Sequence, residues 1–495
     1  MSGEHVDVVI IGAGLSGIGA AYHLQKYCKD TSFTILEGRE AIGGTWDLFR
    51  YPGIRSDSDM ATLGYSFRPW DKAQSIVGGA EIRKYAQDTA AEYGIDRHVR
   101  FGHQVLGAQW STRDARWTVR ARHGADIVEI TCSFLYACAG YYDYAEGYTP
   151  DFPGLDSFRG RVVHPQHWPA DLDHTGKKVV VIGSGATAVT LVPSMAQTAG
   201  HVTMLQRSPT YMATRPGTAP FSAKARRLLP AALANPLVRW RSIATSAYTY
   251  QVARRRPDKT KALLRKGLEA QLPAGYDIDT HFTPRYNPWD QRLCLVPDGD
   301  MFAAIREGRA SIVTDRIERF TEAGIALQSG ERLDADIVVT ATGLNMRAVG
   351  GIDLVVDDTP VNVPDTVAYK GMMLSGVPNF AFTIGYVNSS WTLRADLVAR
   401  YVTHLLNHMR RRGEAICTPL RPDDPERAPL FGLTAGYATR GDAVMPKQGG
   451  SAPWQLHHNY VRELLVTLRR SAVRDSGVRF SKVGAPRADA VSAVV

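Results

Sequence analysis

The sequence predicts an α/β fold in which one nucleotide-binding unit occurs twice. Two glycine-rich turns carry this prediction: Gly12-Ala-Gly14-Leu-Ser-Gly17 and, 171 residues later, Gly183-Ser-Gly185-Ala-Thr-Ala188. Each turn follows a short β-branched run, at residues 8–11 and 179–182. A strand, a tight turn and a helix N-terminus together expose backbone N–H groups that bind a pyrophosphate. We therefore expect two Rossmann-like domains that each bind a dinucleotide, with redox chemistry between them.

The residue that follows the second strand of each unit distinguishes the two expected dinucleotides. Glu37 stands 25 residues after Gly12, where a carboxylate accepts hydrogen bonds from the ribose hydroxyls of FAD or NAD. Arg207 stands 24 residues after Gly183, and an arginine there favours a 2′-phosphate. The sequence thus predicts FAD at the first turn and NADP(H) at the second. The alternative is that both residues are ordinary surface charges at strand ends.

The composition is typical of a large globular enzyme in a reducing compartment. The chain has 495 residues, more than a single core accommodates, and 44% of them are hydrophobic. No apolar run approaches the roughly 18 residues of a membrane span, and we expect no signal peptide because the N-terminus leads directly into the first strand. Five cysteines without a C-x-x-C pair argue against a disulfide or zinc framework. These features predict a cytoplasmic protein without a metal.

A strongly basic segment lies inside the second unit. Between residues 221 and 270 the chain has twelve lysines or arginines against two acids, whereas its formal net charge is only +9. The segment is typical of a helical insertion, which we place at residues 211–290. Its basic face is either a solvated surface or attracted to an anionic membrane, at the inner face of the cell membrane. Nucleic-acid binding is disfavoured because no recognition motif accompanies the charge.

The order of the elements predicts interleaved domains. We expect the first part of the FAD-binding domain at residues 1–140, a linker at 141–175, and the NADP-binding domain with its insertion at 176–345. A strand at residues 380–385 and a helix from about Thr392 should return to the first domain. Residues 346–495 would then complete the FAD-binding domain and end in a loose tail after Gly484.

Two longer motifs restrict the chemistry. Gly43-Gly44-Thr45 is followed by Trp46, where a dithiol–disulfide reductase of this architecture would have a cysteine, so that class is excluded. This run continues as Asp47-Leu-Phe-Arg-Tyr51-Pro52-Gly53-Ile-Arg55-Ser56-Asp57. The predicted linker contains Phe158-Arg-Gly160-Arg-Val-Val-His164-Pro-Gln-His-Trp168-Pro169.

The linker motif resembles the F-x-G-x-x-x-H-x-x-x-W-P signature of type I Baeyer–Villiger monooxygenases, which are flavoprotein monooxygenases. The N-terminal motif resembles the companion pattern of that family, G-G-x-W, four residues, Y-P-G, three residues, D. Nearly the whole chain is covered by the resemblance. It looks closest to the ethionamide-activating branch, through stretches such as Tyr286-Asn-Pro-Trp-Asp-Gln-Arg292.

The resemblance implies a role for individual residues. Arg292 would supply a fixed positive charge for oxygen chemistry on a C4a-peroxyflavin, Asp57 would hydrogen-bond that arginine, and His164 would orient the two domains. Gln291 stands where many relatives have a lysine that meets the 2′-phosphate, which weakens the preference for NADPH. The implied FAD contacts are Ser16, Glu37, Thr45, Trp46, Asp47, Asp57 and Val105, beside the turn residues Gly12, Gly14 and Gly17. The implied NADP contacts are Arg55, Ser56, Asp57, Gly183, Ser184, Gly185, Ala186, Thr187, Arg207 and Ser208.

Three hypotheses for the function follow. The first is a Baeyer–Villiger monooxygenase that converts a ketone to an ester or lactone with FAD, NADPH and O2, and that also oxidises sulfides or thioamides. The second is a flavin monooxygenase restricted to nitrogen and sulfur nucleophiles. The third is a non-catalytic, redox-responsive module that binds FAD and NADPH; competent residues at every catalytic position argue against it.

Overall fold

The computed structural model describes residues 4–423, 426–467, 473 and 475–483. The expected loose tail after Gly484 lies outside these residues. The predicted α/β class is confirmed, because each glycine-rich turn follows a strand of a separate sheet, and that strand is flanked by parallel strands; the first sheet also contains antiparallel pairs. Within the described residues, no helix combines the length and apolar character needed to cross a membrane.

The first sheet has nine strands within the described part of the chain. Its centre is Glu4–Ile11, which pairs in parallel with Phe33–Leu36 and with Asp126–Ala137. The end of Glu4–Ile11 is buried on both faces. Val8 and Ile10 pack in a core with the helices Leu15–Tyr27, Gly79–Glu92 and Trp391–Arg412, and Val9 and Ile11 pack in a second core that includes Trp110 and Trp117. The remaining strands are Val99–Arg100, His103–Ser111, Arg116–His123, Asp353–Val356, Thr359–Pro360 and Phe380–Phe382.

The last third of the chain returns to this first sheet. The short strand Phe380–Phe382 pairs in parallel with Asp126–Ala137. The helix Trp391–Arg412 then packs against Leu15–Tyr27, where His23 and Asp396 form a buried contact of 2.7 Å between Nε2 and Oδ1. The strand and helix expected near residues 380 and 392 therefore lie in the first unit.

The second sheet consists of five parallel strands within the described residues. In spatial order they are Ala310–Thr314, His201–Gln206, Lys178–Ile182, Ile337–Thr340 and Arg161–Val163. The helices Ala186–Met195 and Asp300–Arg306 pack on it. Arg161–Val163 falls within the segment expected to be a linker, so part of that segment is an edge strand of the second sheet.

Residues 211–290 are mainly helical, with Pro220–Leu228, Ala231–Arg255, Pro257–Glu269 and Ile278–Phe282. They begin with Met212–Arg215, which pairs in parallel with Cys294–Pro297; we call these two strands the ribbon.

The remaining elements are short. The helices are Thr45–Leu48, Met60–Leu63, Gly436–Gly441 and Tyr460–Thr467. A small three-stranded sheet consists of Ile317–Thr321, Gly324–Leu327 and Arg332–Asp334. Four two-stranded pairs are Tyr142–Gly147 with Leu344–Met346, Ala368–Tyr369 with Met373–Leu374, Ile416–Pro419 with Val478–Ser481, and Ala428–Pro429 with Lys447–Gln448.

Candidate active site

A cavity of about 600 Å³ is lined by both nucleotide-binding units. The first unit contributes the end of strand Glu4–Ile11, the glycine turn after it, and Glu37 after the neighbouring strand. The second unit contributes Ala186, Thr187 and Thr190 from the helix that follows its own turn. Ligands of α/β sheets bind at the carboxyl ends of the strands, and this cavity lies there.

Two positions of the first turn, Gly12 and Gly17, have room only for glycine. Gly12 has φ +97°, and a Cβ there would lie 2.9 Å from the carbonyl oxygen of Cys138. A Cβ on Gly17 would lie 1.9 Å from the carbonyl oxygen of Gly12, because the helix starts directly against the strand. Gly12, Gly14 and Ser16 line the cavity, whereas Gly17 packs behind it. This geometry exposes backbone and a helix N-terminus to the cavity, which fits the pyrophosphate of a dinucleotide.

Glu37 is held in place by backbone donors at the cavity wall. It is 5% exposed and accepts hydrogen bonds from the N–H groups of Ala13 at 2.7 Å and Arg39 at 3.0 Å. Burial raises the pKa of this carboxyl, although both N–H groups favour the charged form. The position and its acceptor oxygens fit a ribose diol.

Asp47 has a different environment from the one expected for a cofactor contact. It does not line the cavity, and its carboxylate pairs with Arg39 at 2.7 Å, Arg50 at 2.5 Å and Arg83 at 3.3 Å. Burial opposes ionisation, but the arginines outweigh it and lower the pKa of Asp47. Asp47 therefore organises three cations, of which Arg39 lines the cavity.

In the second turn, one glycine has no room for a side chain and the other has free space around it. Gly183 has φ +134°, and a Cβ there would lie 2.3 Å from the carbonyl oxygen of Ala341. A Cβ on Gly185 would meet no atom within 4 Å. The Ser184 hydroxyl donates to the carbonyl of Ser208 at 3.1 Å. Exposed Arg207 precedes Ser208 and has no recorded ion pair with another described residue, so its guanidinium is available to a phosphate.

Asp57 and Arg292 meet at the cavity wall although they lie 235 residues apart. The Arg292 guanidinium donates from Nη2 to Oδ2 of Asp57, and their side chains are 35% and 41% exposed. The Asp57 carboxylate raises the pKa of Arg292 against the opposing effect of burial, and nearby tyrosines act in the same direction. Arg292 is therefore a permanent cation at this wall.

Arg55 and Ser56, which precede Asp57, also line the cavity. Arg55 forms a two-pronged ion pair with Asp300, the first residue of helix Asp300–Arg306. The Ser56 hydroxyl oxygen is buried without a hydrogen-bond partner among the described residues. A buried hydroxyl at a cavity wall needs a partner, and a bound ligand would supply one.

Aromatic residues form much of the remaining wall, and most of them are not among the site residues predicted from the sequence. Tyr141, Tyr142 and Tyr144 lie on or beside the strand Tyr142–Gly147 and line the cavity with Trp46 and Trp391. Burial raises the pKa of Tyr141 and Tyr144 to about 12. The tyrosine-rich composition of residues 141–144 was the available signal. Thr45 and Val105 line the same cavity, where Thr45 and Tyr144 share a hydrogen bond of 3.2 Å.

His164 lies away from the cavity lining. Its Nε2 is 3.2 Å from the carbonyl oxygen of Gly343, at the end of the second sheet, and its Nδ1 accepts from the Gln166 N–H. The ring fills the space beside Gly147, where a Cβ would lie 2.0 Å from Cε1. Burial lowers the pKa of His164, which favours the neutral ring. These contacts suit orientation of the segment between the sheets rather than proton transfer.

Known proteins resemble this chain in sequence over most of its length. A model of the flavin-binding monooxygenase-like family matches residues 5–243. The chain is 52% identical over 485 residues to the FAD-containing monooxygenase EthA of Mycobacterium tuberculosis (strain ATCC 25618 / H37Rv), covering 98% of this chain and 99% of that protein. It is 47% identical to the probable FAD-binding monooxygenase AlmA of Acinetobacter baylyi, covering 97% of each chain.

Solved structures share the fold at lower identity. An oxidized steroid monooxygenase bound to NADP superposes with a TM-score of 0.76 at 22% identity, covering 97% of this chain and 100% of that one. Cyclohexanone monooxygenase in an open form gives a TM-score of 0.73 at 18% identity, with the same coverage. OTEMO in complex with FAD and NADP gives 0.68 at 23% identity, covering 84% and 88%.

Proposed function

The chain belongs to the FAD-containing, flavin-binding monooxygenases, and from this premise we propose that it inserts one oxygen atom from O2 beside a ketone carbonyl. Ketone, O2, NADPH and a proton would give an ester or lactone, NADP⁺ and water. The observation that carries the proposal is the Asp57–Arg292 pair at the wall where both nucleotide-binding units meet. Sulfides and thioamides are proposed as further substrates, because sulfur also accepts an oxygen atom.

The chain's own residues suit the binding of both cofactors. Gly12, Gly14, Ser16 and Glu37 would hold FAD, with Thr45, Trp46 and Val105 along the same cavity. Gly183, Ser184, Gly185 and Arg207 would hold the phosphates of NADP(H), with Ala186, Thr187 and Ser208 beside them. FAD reduced by NADPH supplies the activation of O2.

Arg292 would act on the charge that develops during oxygen transfer. A cation fixed near the reacting oxygen stabilises negative charge without reorganisation of water. Asp57 keeps the guanidinium in one orientation, and a guanidinium keeps its proton at any working pH. The tyrosines and tryptophans of the wall exclude water from the same space.

An isotope experiment separates the three functional hypotheses. The protein is reduced anaerobically with NADPH, and ¹⁸O2 is then admitted with a linear ketone in one sample and a sulfide in another. One ¹⁸O atom in the ester is expected. Label in the sulfoxide alone would support a monooxygenase restricted to soft nucleophiles. No label in either product would contradict both, in favour of a non-catalytic module.

We also propose that the basic insertion contacts an anionic membrane surface. Leu233, Leu237, Trp240 and Tyr248 of helix Ala231–Arg255 are 61%, 45%, 46% and 71% exposed. Their spacing of four, three and eight residues places them on one helix face. An exposed apolar stripe within a strongly basic segment is typical of helices that lie on anionic lipid.

Vesicle binding tests the membrane contact. The holoenzyme is expected to sediment with phosphatidylglycerol vesicles in low salt and to dissociate as salt is raised. Leu233→Ser combined with Leu237→Ser should weaken this binding, whereas Ile127→Ser, at a residue of the first sheet about as exposed as Leu237, should not. Equal binding of both variants would favour a merely solvated basic face.

A further inference from the structure

In the first-unit segment of residues 51–59, every second residue contacts a residue of the second unit. Gly53 lies so close to the second unit's helix that a Cβ would be 2.7 Å from Cβ of Ser194. Asp59 is 4% exposed at its side chain and pairs with Arg215 of the ribbon at 3.1 Å. The full series of contacts is Tyr51 with Thr187, Gly53 with Ser194, Arg55 with Asp300, Asp57 with Arg292, and Asp59 with Arg215.

The backbone is extended around Arg55, after a turn in which the Ile54 N–H donates to the Tyr51 carbonyl at 3.2 Å. Arg55 forms an antiparallel bridge with Gly78, and the Ser56 and Met60 N–H groups donate to the carbonyls of Val77 and Ser75 at 3.0 and 2.8 Å. In an extended segment, side chains two residues apart leave the same face, about 7 Å apart. Arg55 and Asp57 both line the cavity, and both act electrostatically on the Tyr51 hydroxyl.

Two arginines and two aspartates thus share one small region, and they can pair in two ways. In the structure Arg55 pairs with Asp300, and Arg292 pairs with Asp57. The side chain of Arg55 is 17% exposed, so its guanidinium needs a counter-charge. Without Asp300 the Asp57 carboxylate is the nearer in sequence of two acceptors on the same segment, and the other, Asp59, is buried and paired with Arg215. An Arg55–Asp57 pair would then compete for the anion that orients Arg292.

We propose that Asp300 is a positioning residue: it forms an ion pair with Arg55, so that Asp57 pairs with Arg292 instead of with Arg55. This inference rests on the proposed function, because Arg292 is the cation assigned there to oxygen transfer. Asp300 acts through Arg55 and does not itself line the cavity. Its place at the first residue of a second-unit helix lets the packing of the two units set the charge pairing at the wall.

The variant Asp300→Asn tests the proposal, because it keeps size and one acceptor oxygen but removes the charge. In a crystal structure of the holoenzyme variant, the Arg55 guanidinium is expected within 4 Å of the Asp57 carboxylate. The fraction of NADPH that yields oxygenated product should fall about tenfold, with hydrogen peroxide rising in proportion and FAD content unchanged. Asp300→Glu should restore the coupling.

Two further variants complete the experiment. Asp334→Asn removes an equivalent charge from an exposed pair with Lys178, the first residue of the middle strand of the second sheet, and it should leave coupling unchanged. In a crystal structure of the double variant Arg55→Ala/Asp300→Asn, the Asp57–Arg292 pair should be as in the wild type. The proposal is overturned if Asp57–Arg292 is intact in Asp300→Asn with normal coupling, or if only the melting temperature falls. Absence of ester from the wild type would contradict the proposed function alone, because the charge pairing is read from the crystal structures.

Discussion

Arg292 shows how one charge can be kept permanent at a cavity wall. Its pKa is raised chiefly by Asp57, and Tyr141, Tyr142 and Tyr437 add to the effect. Tyr141 and Tyr142 line the same cavity as the cation. A lysine here would have a lower intrinsic pKa and would lack the planar group that pairs with Asp57.

Replacement of Arg292 by alanine is expected to abolish ester formation and to leave FAD bound. The guanidinium contributes charge at the wall, whereas the glycine turn and Glu37, which suit FAD, lie on other elements. Loss of one such fixed donor typically costs a factor of about 100 to 1,000 in turnover. Ester yield and the flavin spectrum are measured together, with Arg292→Lys as the charge-conserving comparison. Undiminished ester yield from Arg292→Ala would remove this residue from the mechanism.

Arg207 is expected to determine the preference for NADPH over NADH. The variant Arg207→Ala should lower kcat/KM for NADPH about tenfold to a hundredfold, because a charged hydrogen bond to the 2′-phosphate contributes about 1.5–3 kcal/mol. The value for NADH should stay within about twofold of the wild type, since NADH lacks that phosphate. Gln291→Lys should shift the ratio in the opposite direction. Equal losses with both coenzymes would contradict the assignment.

At the scale of elements, the two glycines of the second turn have separate tasks. Gly183 is needed for the fold, because its positive φ and the adjacent Ala341 carbonyl exclude a side chain. Gly185 has φ −77° as the N-cap of helix Ala186–Met195, a conformation open to any residue, and it faces free space. Its lack of a side chain therefore matters to a ligand rather than to the protein.

Alanine substitutions should separate these tasks. Gly183→Ala is expected to destabilise the protein by at least about 2 kcal/mol, from backbone strain and a clash. Gly185→Ala should leave the melting temperature nearly unchanged but raise the dissociation constant of NADP⁺ about tenfold or more. Thermal unfolding and an NADP⁺ titration are measured on both proteins. Normal NADP⁺ affinity in Gly185→Ala would place the pyrophosphate elsewhere.

At the scale of the whole molecule, the chain's last described helix is tied to the cavity. Glu463 of helix Tyr460–Thr467 accepts from the fully buried Arg394 and, at 2.7 Å, from the hydroxyl of Tyr386. Tyr386 lines the cavity. Nearby, the Nε2 of His458 is 3.3 Å from the Leu430 carbonyl oxygen. The site therefore depends on residues more than 400 positions after the first glycine turn.

His458 should make the stability of this arrangement depend on pH. Burial, aided by the charge of Arg394, lowers the pKa of His458 to about 4, from 6.5 in an unfolded chain. The unfolded chain therefore binds the proton first, so stability falls as the pH is lowered from 6.5 toward 4, by up to about 3 kcal/mol. His458→Asn, which tolerates the local φ of +48°, should flatten this decline in denaturant unfolding experiments. The exposed His123→Asn is the control, and parallel curves for all three proteins would contradict the role of His458.

Much of the fold could be predicted because its signals are local. A β-branched run, a glycine that needs positive φ and a following helix lie within about ten residues, and both units show them. The edge strand Arg161–Val163 could not be predicted in this way, because three residues carry no period and pair only with a distant strand. The three tyrosines within residues 141–144 were noticeable in the sequence, but the cavity wall that they form depends on distant elements packing around them.

The sequence by itself determined the fold class, the two cofactor turns and the types of charge available to them. Only the tertiary structure decided how those charges pair. Asp47 pairs with Arg39, Arg50 and Arg83 rather than lining the cavity. Arg55 pairs with Asp300, which lies 245 residues later in the chain. Backbone conformation depends on nearest neighbours and can be read locally. The partner of a buried charge depends on which distant elements pack together, and that becomes definite only when the two units meet.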